Sequence, residues 1–271
     1  GLPMKKNIVT ALVVFFILAG GITAYFYWQH IQSKPESKIV SVPPPALPPA
    51  AQQETVQIIA APSVEPTLPK LAESDKFILS ALAGLINNET LLSLFNTRQI
   101  IHNIVATIDN LPRKRMPTSV MPLKKVKESF ITTGPEDEKV ISPKNAARYA
   151  QYMKIAEVID IQKLVELYVR LYPLFQEAYT ELGYPKKYFN DRLLFVLDHL
   201  LATPDAADPI KLVRPSVFYQ YADPDLEARS AGQKTLLRIG NKNRSTIKAK
   251  LREIKQQVML HVHEKKVDST K

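Results

Sequence analysis

Residues 8–28 read IVTALVVFFILAGGITAYFYW, a stretch without one charged side chain that follows directly on Lys5, Lys6 and Asn7. At a rise of ~1.5 Å per residue, a helix of that length spans ~30 Å, the hydrocarbon thickness of a bilayer. Tyr25, Tyr27 and Trp28 close the stretch, and such rings favour the headgroup level. A cleaved signal peptide has a shorter apolar core of roughly 7 to 15 residues, then a small-x-small cleavage site. Bulky aromatics stand where that site belongs, so a retained transmembrane helix is expected. A buried core helix is disfavoured, because a proline-rich tract separates the segment from any core. The two lysines before the span place residues 1–7 in the cytoplasm and the body outside by the positive-inside rule, although Lys34 and Lys38 follow it. Gly1-Leu2-Pro3 reads as vector-derived, with Met4 the expected native start.

Residues 31–72 hold nine prolines and no glycine. Each proline fixes φ and removes a backbone donor, so a semi-stiff linker is expected, reaching on the order of 100 Å when extended. Within it, Val56-Gln57-Ile58-Ile59 reads as a recognition strand or as chance apolar content, and chance is favoured.

Residues 73–266 read as a mainly α, multi-helix domain with a small β-hairpin. Ser74, Asn88 and Thr97 are expected to cap three short helices, whose stripes include Ile78 and Leu82, Leu91, and Ile101, Ile104 and Val105. Phe130–Thr133 and Lys139–Ile141 flank Gly134-Pro135-Glu136-Asp137-Glu138, the chemistry of a hairpin turn. Ser142-Pro143 opens a helix lined by Tyr149, Met153, Ala156 and Ile159. Asp160 caps the longest helix, which Pro173 should bend or interrupt and Gly183 should stop. Asn190 or Asp191 restarts a helix running to Thr203-Pro204. Extended segments follow at Leu212-Val213 and Val217-Phe218-Tyr219, then a turn capped by Asp223 and a helix ending at Gly240. The final helix carries Ile247, Leu251, Ile254, Val258 and Val262.

The chain has no cysteine, which excludes disulfides, thiolate catalysis and cysteine-ligated metals. Its net charge is +10, and setting aside Lys5 and Lys6 leaves 34 basic against 26 acidic residues. In the cytosol such a balance would raise nucleic acid as a partner. With the body outside, the polyanions on hand are lipid headgroups, surface polymers and acidic protein patches, so nucleic acid is not expected.

Arg214-Pro215-Ser216-Val217-Phe218-Tyr219-Gln220-Tyr221-Ala222-Asp223-Pro224 and Ala231-Gly232-Gln233-Lys234 form a signature, joined by Leu237-Arg238-Ile239-Gly240 and Lys248-Ala249-Lys250-Leu251-Arg252. Upstream stand Leu171-Tyr172-Pro173, Glu181-Leu182-Gly183-Tyr184-Pro185, Phe189-Asn190-Asp191-Arg192-Leu193 and His199-Leu200-Leu201-Ala202-Thr203-Pro204. On these residues the chain resembles an uncharacterised bacterial family, a domain of unknown function. The resemblance implies single-span, membrane-anchored envelope proteins of proteobacterial type, and it supplies no activity, cofactor or catalytic residue. Roles for Arg214, Pro215, Tyr219, Asp223, Pro224, Gly232, Gln233, Lys234 and Gly240 stay open.

Arg113, Lys114, Arg115, Lys124, Lys125 and Lys127 lie in a stretch with no acid. They read as a site for anionic headgroups or an acidic partner, or else as a solvated loop. Residues 234–266 carry ten basic and two acidic side chains, and the apolar stripe on the last helix suits self-association or, as favoured, the chain's own core. Asp223, Asp225 and Glu227 are better explained as helix-start residues than as a catalytic pair. Asp198-His199 suggests a hydrogen-bonded pair rather than a catalytic dyad, and His261-x-His263 could ligate a metal only with partners elsewhere. The tyrosines fit core packing better than stacking on sugars. No cofactor or metal is expected. The reading is a scaffold or interaction module of the envelope. Its rival is an enzyme or binder for cell-wall or lipid-derived substrate, with Arg214, Tyr219, Asp223, Gln233 and Lys234 around a pocket.

Overall fold

In the computed structural model, residues 56–59 and 67–265 are described. The transmembrane expectation for residues 8–28, and most of the linker, lie outside them. Among the described residues no helix is long and apolar enough to cross a membrane.

Ten α-helices and three two-stranded antiparallel pairings make up the described part. The centre is a bundle of four helices: α3 (Ile100–Asn110), α6 (Ile161–Glu181), α7 (Phe189–Leu201) and α10 (Asn241–Leu260). Each packs on two or three of the others. Their stripes supply Ile104, Leu164, Phe175, Phe189, Leu197, Ile247, Leu251 and Val258, all buried in one continuous core. The stripe of α10 is therefore spent inside the chain. Tyr168, Phe175, Phe189 and Tyr179 meet there edge-on or stacked, with centroids 5.3 to 6.4 Å apart.

Around the bundle lie α1 (Asp75–Ile86), α2 (Glu89–Leu92), α4 (Asn145–Arg148) and α5 (Ala150–Val158). Asn88 caps α2 as expected, accepting from the Leu91 amide at 3.1 Å. Two other caps differ. Ser74 does not accept at the start of α1, because its hydroxyl donates back to the Leu71 carbonyl at 2.7 Å. Thr97 does not cap α3. The helix begins at Ile100, and Asp75, from the start of α1, accepts from the Gln99 and Ile100 amides at 2.8 and 2.9 Å. A carboxylate at a helix N-terminus satisfies orphan donors and meets the dipole, and here one helix supplies it to another.

The segment opened by Ser142-Pro143 is two helices, broken at Tyr149. Asp160 caps α6 as expected, accepting from Lys163 at 3.2 Å. Pro173 does not interrupt α6, which continues to Glu181. It lies on the exposed face, between the buried pairs Leu171–Tyr172 and Leu174–Phe175 whose packing holds both halves in line. Gly183, at φ 115°, ends the helix region as expected. Helix α7 starts at Phe189, and Asn190 is not its cap: fully buried, it accepts from the Tyr168 hydroxyl at 3.1 Å.

The expected hairpin forms from β2 (Thr132–Thr133) and β3 (Val140–Ile141), with Thr132 opposite Ile141. Strand β4 (Leu212–Val213) pairs with β5 (Gln220–Tyr221), so the second extended piece sits after Val217–Tyr219, not on it. Then come α8 (Pro224–Glu227) and α9 (Ala231–Arg238). The tract Val56–Ile59 is strand β1, paired antiparallel with β6 (Val262–Lys265) and set against α7. Val262 thus belongs to that ribbon and not to the last helix.

Candidate interaction surface and signature cluster

The basic loop is pinned from within. Met116, Met121, Leu123 and Val126 are buried, while Arg113, Lys114, Arg115, Lys124, Lys125 and Lys127 are exposed. Main-chain bonds fix the path: Lys124 donates to the Leu94 carbonyl at 2.7 Å, and Asn96 donates to the Pro122 carbonyl at 2.8 Å. Burying the apolar side chains of an extended segment turns the others outward, so the cations face solvent as a consequence of packing.

The six cations separate by their contacts. The Arg113 guanidinium donates to Asp109 Oδ2 and to the Tyr184 hydroxyl, both at 2.8 Å. Lys114 reaches the Ala228 carbonyl, and the Arg113 carbonyl accepts from the Ala231 amide at 2.8 Å. These two therefore lock the loop to the signature segment. Lys124 lies on the α2–α5 side, where its carbonyl also accepts from the Tyr152 hydroxyl at 2.8 Å.

Asp109 is the residue that sequence reasoning overlooked. Its carboxylate is buried, and Arg192 Nε donates to Oδ1 at 2.8 Å while Tyr184 donates to Oδ2 at 3.1 Å. Burial opposes the Arg113 charge, yet Asp109 and Tyr184 hold its pKa above the ordinary arginine value. A signal existed, since Asp109 continues the line Ile101–Val105 at four-residue steps, an acid on an apolar stripe.

The signature residues serve several distinct contacts. Asp223 caps α8, accepting from Asp225 at 2.8 Å. Gln233 is buried and donates to the His199 carbonyl at 2.8 Å. Lys234 pairs with Glu227 at 2.6 Å and lies over the Tyr221 ring. Arg214 lies over the half-buried Tyr219, 5.4 Å from its centroid, and 3.8 Å from Glu136. Pro215 is exposed in the same β4–β5 turn, and Pro224 is the first residue of α8. Gly240, at φ 90°, makes the corner between α9 and α10. Gly232 is a close approach: a Cβ there would stand 2.7 Å from Leu200 Cδ2 and 3.0 Å from the Leu111 carbonyl oxygen. Lys234 and Tyr219 thus sit in separate pairings, and Gln233 is taken up by α7.

The expected Asp198–His199 pair is not formed. Asp198 meets Lys255 at 2.5 Å, and His199 Nε2 lies 2.7 Å from the Ser230 hydroxyl. Ser230 also caps α9, accepting from the Gln233 amide at 3.2 Å. Partial burial, then the charges of Arg192 and Arg229, hold His199 below the usual imidazole range. A small cavity of about 30 Å³ lies in the bundle instead, lined by Ile104, Leu164, Phe175, Phe189 and Ile254, with Tyr168 its one polar side chain. Its lining is apolar apart from the Tyr168 hydroxyl. Among the described residues no group of three or more metal-ligating side chains occurs.

These features define a mainly helical domain with an outward basic loop tied to a compact signature cluster. Residues 100–255, more than half of the chain, match the family described as protein of unknown function (DUF3014), and the chain belongs to that family. No curated protein and no solved structure matches it.

Proposed function

We propose that this chain is an interaction or scaffold module of a bacterial envelope. In this reading residues 8–28 lodge in the inner membrane, residues 31–72 are a proline-rich linker, and the helical body stands in the periplasm. The observation that carries the reading is the basic loop: its apolar residues are buried while its cations are held outward. Such a surface suits an acidic protein patch or an anionic polymer. The enzyme reading draws less support, because Gln233 and Lys234 are engaged by His199 and Glu227. A photo-crosslinking residue placed at Lys124 or Lys127 in living cells should capture one reproducible protein or polymer. Recovery of only scattered, low-yield adducts from both positions would count against the proposal.

A further inference from the structure

Two cations of α10 are buried, although neither belongs to the basic loop. Arg244 and Lys248 stand one turn apart, and their side chains are 1% and 9% exposed. Arg244 Nη2 donates to the Ala206 carbonyl at 2.8 Å and also meets Asn241 Oδ1, while Nε and Nη1, both buried, have no hydrogen-bond partner among the described residues. Lys248 Nζ donates to the Thr203 carbonyl at 2.7 Å. Both cations face Asp205 Oδ1, at 3.1 Å from Nζ and 3.9 Å from Nε, the second too long for a hydrogen bond. The Asp205 side chain is itself 81% exposed.

That pairing is unbalanced. Buried guanidinium donors left unmade are costly, and native proteins ordinarily satisfy them. Asp205 hangs on the loop between α7 and β4 and brings one oxygen to one cation. Being largely hydrated, it loses little by turning outward. Charge points the same way. Arg252, one turn further along α10, acts on the same carboxylate, and Asp208 acts on Arg244 while its own Oδ2 accepts from the Asn241 amide at 3.1 Å. With Asp205 turned away, three cations face one acid, a surplus of two positive charges. A phosphate group carries nearly two negative charges at neutral pH and has several acceptor oxygens, so one group can reach Nζ and Nε together.

We propose that the contact between α10 and the 203–208 loop is a phosphate-binding site, in which Asp205 is a built-in substitute that an incoming phosphate group displaces. Arg244 and Lys248 hold the group, and Arg252 adds charge at the rim. The site is independent of the basic loop and of the envelope reading. The chemistry recognised is the same for a free phosphate group and for one on a lipid headgroup.

Titration of the full-length protein with inorganic phosphate, followed by calorimetry, tests this. The wild type should bind saturably, Asp205→Ala should bind at least ten times tighter, and Lys248→Gln should lose binding at least tenfold. Acetate at equal concentration should not compete. Equal affinity for phosphate in the wild type and Asp205→Ala overturns the proposal, and that comparison stands even where Lys248→Gln fails to fold, because Asp205 is a surface side chain. Glycerol 3-phosphate and phosphatidic acid vesicles separate the two sources. Binding of the soluble ester marks a free ligand, binding of vesicles alone marks a headgroup, and binding of neither, with none to inorganic phosphate, defeats the site.

Discussion

The four-helix bundle and the signature cluster are built on opposite principles. The bundle is one large apolar core in which Leu197, Phe189, Ile247 and Leu251 are wholly buried. Part of the signature cluster surrounds a second core of five buried residues, Ile210, Leu212, Tyr221, Leu226 and Leu237, while Ala231, Leu236 and Ile239 join the first. There, caps, ion pairs and close approaches carry the order: Asp223 on α8, Lys234 on Glu227, Gln233 on His199, Gly232 against Leu111. Apolar stripes tolerate exchange of one hydrophobe for another of similar volume, whereas a cap or a glycine contact accepts few residue types.

Substitutions sharpen the contrast. Phe189→Ala, in the bundle, should cost about 3 to 5 kcal/mol in urea unfolding, and a loss under about 1 kcal/mol would mean the bundle is not the main core. Asp109→Ala should cost about 1 to 3 kcal/mol, since it removes the acceptor shared by Arg113, Arg192 and Tyr184, and the loop should become more open to protease. Gly232→Ala should cost a similar amount, roughly 1 to 3 kcal/mol by overpacking. The contrasting Gly84→Ala, where a Cβ meets nothing within 4 Å, should be neutral or stabilising, by up to about 1 kcal/mol in an exposed helix. Lys234→Ala should cost under about 1 kcal/mol, as expected for a partly exposed pair.

The smallest effect is a pH dependence. The folded pKa of His199 lies below its ordinary 6.5, so the fold favours the neutral ring. Its contribution to stability is complete above that value and is lost as pH falls through the lowered folded pKa. His199→Gln should flatten the slope of unfolding free energy in that acidic window, and an unchanged slope would show that other groups set it.

Much of the bundle was legible, because three- and four-residue spacing is the direct imprint of a buried helical face. Asn88, Asp160 and Asp223 were legible as caps because each acts within three residues. The start of α3 was not, since its cap comes from Asp75, 24 residues before Gln99. Asn190 resembles a cap by type, but burial beside Tyr168 gives it a core role. Val56–Ile59 has no local sign of its partner, because the pairing strand lies near the other end of the chain. Of the candidate site, the basic loop was visible as composition. Its division between Arg113–Lys114 and Lys124 was not, because Asp109, Tyr184 and Ala228 meet it only in the folded chain.

The proposal rests on residues 8–28 staying in the membrane and delivering the helical body to its far side. A reporter enzyme active only in the periplasm, fused after Lys271 and assayed in intact cells, tests it most directly. Full activity that depends on residues 8–28 is the predicted result. An inactive fusion present at normal abundance, with activity only for a cytoplasmic reporter at the same position, would contradict it.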